Sequence, residues 1–86
     1  MKIFKETLAV KDEQSLALYA DAEILTVQVQ KGVPRIWYTT NQVRGLKSVS
    51  IYTHGTGHEI NPNAGRYIGT YQSHDGGLVF HVFEGK

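Results

Sequence analysis

In the run Thr53-His54-Gly55-Thr56-Gly57-His58, two imidazoles and a hydroxyl surround a pair of glycines one residue apart. Glycine reaches backbone angles that other residues avoid and lets a ligand approach the main chain closely. Successive N–H groups in such a turn form a small anion-binding hollow. The Thr56 hydroxyl and the rings of His54 and His58 add adjustable donors and acceptors beside it. Imidazole titrates near neutral pH, so the same two histidines are candidates for general acid and base on a phosphodiester. A Gly-Thr-Gly segment is more often a plain turn, because a short glycine motif gains meaning only from its context.

Residues further along the chain could complete a ligand site. Arg66 can grip a phosphate bidentately. Trp37, Tyr38, Tyr67 or Tyr71 can stack a base, and Gln28, Gln30 and Gln72 can read its polar edge. Each has a structural alternative as core filler, sheet cover, solvated face or ion-pair partner. Zinc would suit His54, His58 and Glu59. On a regular strand, however, positions 54 and 58 stand about 13 Å apart, and only a turn brings them together. Covalent catalysis has little to work with. There is no cysteine, and Ser15, Ser48, Ser50 and Ser73 lack a nucleophile-elbow setting. The expectation is a ligand-binding set of Trp37, His54, Gly55, Thr56, Gly57, His58, Arg66 and Tyr67, with no catalytic residue, metal or cofactor.

The elements that must position these residues read as strands. Lys2 to Val10 is rich in β-formers. Asp12 to Ala22 is ambiguous: Leu16, Tyr19 and Ala20 have helical spacing, whereas Ser15 to Tyr19 followed by Ala20-Asp21-Ala22 reads as strand and turn. Glu23 to Lys31 alternates, with Leu25, Val27 and Val29 on one face. Lys31-Gly32 is a turn, and Arg35 to Thr40 completes a hairpin. Lys47 to Thr53 alternates again, with Val49 and Ile51 facing opposite to Ser50 and Tyr52. Arg66 to Ser73 and Leu78 to Glu84 are the last strands, joined by His74-Asp75-Gly76-Gly77. Both faces of Leu78 to Phe83 are apolar, which predicts a central strand or one covered by a partner chain. On one of those faces His81 reads as a histidine hydrogen-bonded to a neighbour before it reads as a ligand. Six or seven short strands predict an all-β single domain, a small antiparallel sandwich or barrel.

Size and charge narrow the classes. A chain of 86 residues buries only about 60–65% of its extended surface, and a homo-oligomer is one remedy for so thin a core. The net charge of +1, with no basic run, disfavours nucleic-acid binding. The N-terminus carries a charge every few residues and is no secretory signal. No apolar stretch reaches the roughly 20 residues needed to span a bilayer. The absence of cysteine suits a reducing, cytoplasmic compartment.

The blocks Gly55-Thr56-Gly57-His58, Gly65-Arg66-Tyr67-Ile68-Gly69-Thr70 and Leu78-Val79-Phe80-His81-Val82-Phe83-Glu84 resemble a family of short proteins of unknown function. Its members are encoded by bacteriophages and their hosts. They often carry proline at the position of Tyr19, which favours the strand and turn over the helix. The resemblance implies a phage context and carries no established activity. It ranks two expectations. The first is a counter-defence protein that binds and sequesters a small anionic, nucleotide-like signalling molecule in the host cytoplasm. The second is a module that inhibits a host protein by direct contact.

Overall fold

Alternating apolar and polar residues can form a stable strand only by burying one face against another layer. The computed structural model describes residues 1–73 and 75–86 and meets that requirement with seven strands. They are β1 (Lys2–Thr7), β2 (Glu13–Tyr19), β3 (Glu23–Gln30), β4 (Val33–Thr40), β5 (Leu46–Gly55), β6 (Ala64–Gln72) and β7 (Val79–Gly85). One antiparallel sheet has the order β1-β4-β3, the other β2-β5-β7-β6. Leu18, Val27, Ile36, Ile51 and Val82 come from both sheets and are almost wholly buried between them. This is the expected all-β sandwich. Among the described residues no helix is long and apolar enough to cross a membrane.

Asp12 to Ala22 resolves as strand and turn. In β2, Leu16 and Leu18 are buried in alternation and pair with Val49 and Lys47 of β5. The turn closes with the Ala22 N–H donating to Tyr19 O at 3.0 Å. Pairing with β5 decides between two local patterns that periodicity alone leaves balanced, in favour of the one the resemblance implies. At the β3–β4 hairpin, Lys31 and Gly32 both take positive φ, 52° and 77°, as a type I′ turn requires.

The alternation read along β3 needs a correction. Ile24 pairs with Tyr38 and Thr26 with Trp37, so Leu25 is the extra residue of a bulge. Leu25 is thereby expelled from the face it was expected to share with Val27. It stays 47% exposed while Ile24 is buried in its place. A one-residue insertion inverts side-chain facing, and nothing in an unbroken alternation announces it.

β7 lies between β5 and β6, the central position that is one of the two its apolar faces predict. Of its expected connector to β6, His74 lies outside the described residues. Asp75 Oδ1 accepts the Ser73 hydroxyl at 2.7 Å and the Gly77 N–H at 2.8 Å. Along the opposite edge, β6 approaches β3 closely: a Cβ at Gly69 would lie 3.0 Å from Val27 Cγ1. Register shifts between Ala64 and Tyr67 and between Tyr67 and Gly69 bend β6 into that contact.

Candidate functional site

β5 ends at Gly55, and the chain reverses through Thr56 and Gly57. The His58 N–H donates to Gly55 O at 3.2 Å, closing a four-residue turn. Gly57 sits at φ +89°, a left-handed conformation that a side chain would strain. Gly55 makes room of a different kind. The His58 ring folds back over it, and a Cβ at position 55 would lie 3.3 Å from His58 Cε1.

His54 projects from the outer face of β5 and meets Phe83 edge-on, with ring centroids 5.4 Å apart. Its Nε2 accepts the Asn61 N–H at 2.9 Å, tying the chain after the turn back to the sheet. An accepting Nε2 places the neutral ring's proton on Nδ1. That atom is buried with no partner among the described residues. Directly across the sheet from His54 lies His81. Its Nε2 pairs with the Thr56 hydroxyl at 2.7 Å and its Nδ1 with the Thr70 hydroxyl at 3.0 Å. The Thr70 hydroxyl also pairs with the Tyr67 hydroxyl. A continuous polar chain therefore runs from the glycine turn through His81 to Tyr67. The Tyr67 ring packs on Phe83 at 5.4 Å.

Together these groups line a groove of about 260 Å³, with Ile60 at its rim. Its lining includes three imidazoles, the hydroxyl-bearing Thr56 and Tyr67, the aromatic rings of Tyr67 and Phe83, and no carboxylate. The site can therefore stack a flat ring and offer hydrogen bonds. Any positive charge in its lining comes from protonated imidazole.

The structure gathers six of the eight expected residues here: His54, Gly55, Thr56, Gly57, His58 and Tyr67. The other two lie elsewhere. Arg66 Nη2 donates to Ile24 O of the facing sheet at 2.6 Å and to Glu84 Oε1 at 3.0 Å. Its guanidinium is thus a clasp across the β3–β6 edge and does not line the groove. Trp37 stands on the outer face of the β1-β4-β3 sheet, with the Lys5 ammonium 5.4 Å from its ring centroid. Sequence reasoning omits Phe83 and Ile60 from the site and ranks a ligand role for His81 second to its hydrogen-bonded one. The period of two had already put His81 and Phe83 on one face of β7. What was missing was the register that sets His81 opposite His54.

The glycine turn also walls a second, larger space. On its inner side a cavity of about 430 Å³ opens at the end of the sandwich, lined by Val10, Lys11, Thr53 and Phe80 among others. Among the described residues, no group of three or more histidines and carboxylates is placed to hold a metal ion.

These features define a small two-sheet β-sandwich with a groove on the outer face of its larger sheet. The chain belongs to the family described as a domain of unknown function (DUF7352), whose model matches residues 1–86. No curated protein and no solved structure matches it.

Proposed function

We propose that this domain is a non-catalytic binding module that holds a small nucleotide-like anion in the groove beside the Gly55–Gly57 turn. One observation carries this reading: Tyr67, Phe83 and three imidazoles converge on a space without carboxylates, against a turn built from glycine. A base stacks on the aromatic rings. The phosphate meets the turn's backbone, the Thr56 hydroxyl and the imidazoles. Two of the three histidines, His54 and His81, support binding over catalysis. His54 Nε2 is engaged by Asn61, and both nitrogens of His81 are engaged by threonines. A general base needs a nitrogen free to reach the substrate. In the phage setting implied by the sequence resemblance, the protein withdraws a host signalling nucleotide from circulation.

The test is a melting-temperature titration with a panel of cyclic and ADP-ribose-type nucleotides. A ligand bound only by the folded state raises the melting temperature as its concentration exceeds Kd. One nucleotide should give a concentration-dependent rise. Tyr67→Ala should weaken its binding roughly tenfold, as loss of one base-stacking ring does. A flat response across the panel sinks the reading. The field then passes to direct contact with a host protein, for which the exposed face around Trp37 and Lys5 supplies aromatic and cationic anchors.

A further inference from the structure

An edge strand presents a row of unpaired N–H and C=O groups to whatever lies beside it. The edges here are β1 and β3 in one sheet, β2 and β6 in the other. β3 and β6 close on each other, through the approach of Gly69 to Val27 and the bond from Arg66 to Ile24 O. β1 and β2 remain. Every residue of β1 except Phe4 is exposed, Ile3 by 61%. Phe4 turns toward the other sheet, where its ring meets Tyr19 at 6.0 Å. Lys2 and Glu6 share that face and are exposed even there, so the other sheet leaves this edge uncovered.

The ladder fixes which backbone groups of β1 look outward. The Leu8 N–H donates to Pro34 O at 2.9 Å, so these two residues form a hydrogen-bonded pair. In an antiparallel ladder bonded pairs alternate with non-bonded ones. Glu6↔Ile36, Phe4↔Tyr38 and Lys2↔Thr40 therefore carry the bonds to β4. Ile3, Lys5 and Thr7 turn their N–H and C=O groups to the open side.

An antiparallel second β1 must bond through those three residues. A two-fold axis at Phe4 allows it, with Ile3 of each copy bonded to Lys5 of the other. The non-bonded pairs are then Lys2 opposite Glu6, twice, and Phe4 opposite Phe4. At such positions Cα atoms approach to about 4.5 Å and side chains are closest. Neither Lys2 nor Glu6 has an ion-pair partner in its own chain among the described residues. The neighbouring allowed registers are worse. An axis at Lys5 sets Lys5 against Lys5, and like charges directly opposite are destabilising. An axis at Ile3 sets Lys2 against Phe4 and leaves Glu6 unmatched. β2 offers no such match, because Glu13 is its one charged residue.

We infer that the domain forms a two-fold dimer through β1, in the register that places Lys2 of each copy opposite Glu6 of the other. The pairing joins two three-stranded sheets into one and covers the open edge of each. None of these residues lines the groove, so the dimer stands apart from the nucleotide reading.

Sedimentation equilibrium of the whole protein tests it, from about 10 µM to about 1 mM, because a single strand edge makes a small interface. Wild type should pass from monomer to dimer. Lys2→Glu and Glu6→Lys each set like charges opposite one another at both positions and should weaken dimerisation roughly tenfold. The double variant Lys2→Glu/Glu6→Lys restores opposite charges with their signs exchanged. Its association should return to within about twofold of wild type. Ile3→Pro deletes an N–H that points away from β4, a place where an edge strand tolerates proline. It should abolish the dimer while the monomer's melting temperature stays within a few degrees. The inference is overturned if wild type is monomeric throughout or if either single reversal leaves its dimer intact. A double variant as weak as the singles overturns it as well.

Discussion

At the end of the sandwich where β2 turns into β3, Thr40 is 1% exposed, and its hydroxyl donates to Asp21 Oδ1 while accepting the Gln42 N–H at 2.8 Å. At the opposite end Thr53 is 5% exposed and its hydroxyl meets no partner among the described residues. Around Thr40 the remaining polar groups are also paired. Asp21 Oδ2 accepts the Asn41 N–H at 2.7 Å, the Lys47 ammonium donates to Ala22 O at 3.0 Å, and the Ala20 N–H donates to Gly45 O at 3.1 Å. Around Thr53 there are cavities, exposed apolar side chains and a glycine turn. One end is sealed by hydrogen bonds among its own residues. The other leaves buried hydroxyls unpaired among the described residues. A buried donor left without a partner costs stability that a paired one does not.

The sharpest way to break this contrast is to make the same substitution at both ends. Thr40→Val strips Asp21 and Gln42 of their partner in a buried site and should lower stability by about 1–3 kcal/mol. Thr53→Val removes only an unpaired hydroxyl and should be neutral or stabilising. Urea unfolding reads both as midpoint shifts at constant slope. Equal losses would mean that Thr53 has a structural partner, and the two ends would then be alike.

Acid offers a gentler probe of the sealed end. The Thr40 hydroxyl, then the Asn41 N–H, hold the Asp21 carboxyl below its ordinary value of 3.8. A depressed carboxylate stabilises the fold above its unfolded pKa and loses that contribution as pH falls through the lower folded value. Asp75 is lowered too, by the Gly77 N–H and then the Ser73 hydroxyl. Wild-type stability should therefore decline below about pH 4. Asp21→Asn should be less stable at neutral pH and show a shallower decline, because its amide nitrogen cannot accept the Asn41 N–H. A decline as steep as wild type would assign the acid sensitivity to other carboxyls, Asp75 among them.

Much of this architecture was legible in the residue pattern, and the illegible parts share a cause. Alternation in Lys47 to Thr53 fixes which of its side chains point inward. The two apolar faces of Leu78 to Phe83 point to a central strand or one covered by a partner chain, and the structure makes it central. The glycine turn was legible because φ +89° at Gly57 is a local property. The Leu25 bulge was not, since Glu23 to Lys31 alternates straight through it and only pairing with Tyr38 and Trp37 reveals the insertion. The groove was half legible for the same reason. His54, Thr56 and His58 are neighbours in sequence, whereas His81 and Phe83 join them through strand register. Orphan hydroxyls at Thr53 and Tyr71 are invisible in sequence, because a missing partner belongs to the whole packing.

Arg66 carries the smallest expected effect and serves as the control for both ends. The sequence offered it as a phosphate grip; the structure gives it two protein partners, Ile24 O and Glu84, along the β3–β6 edge. At 55% exposure its ion pair is screened by solvent, so Arg66→Ala should cost under about 1 kcal/mol. Its nucleotide-induced rise in melting temperature should match that of wild type, because the guanidinium does not line the groove. A variant that keeps its stability but loses the nucleotide response would return Arg66 to the site. That would mean the guanidinium leaves Ile24 O when ligand binds, exchanging a carbonyl for a phosphate. A stability loss of several kcal/mol would instead make the β3–β6 edge the principal bond between the sheets, and the contrast between the two ends would then be secondary to it.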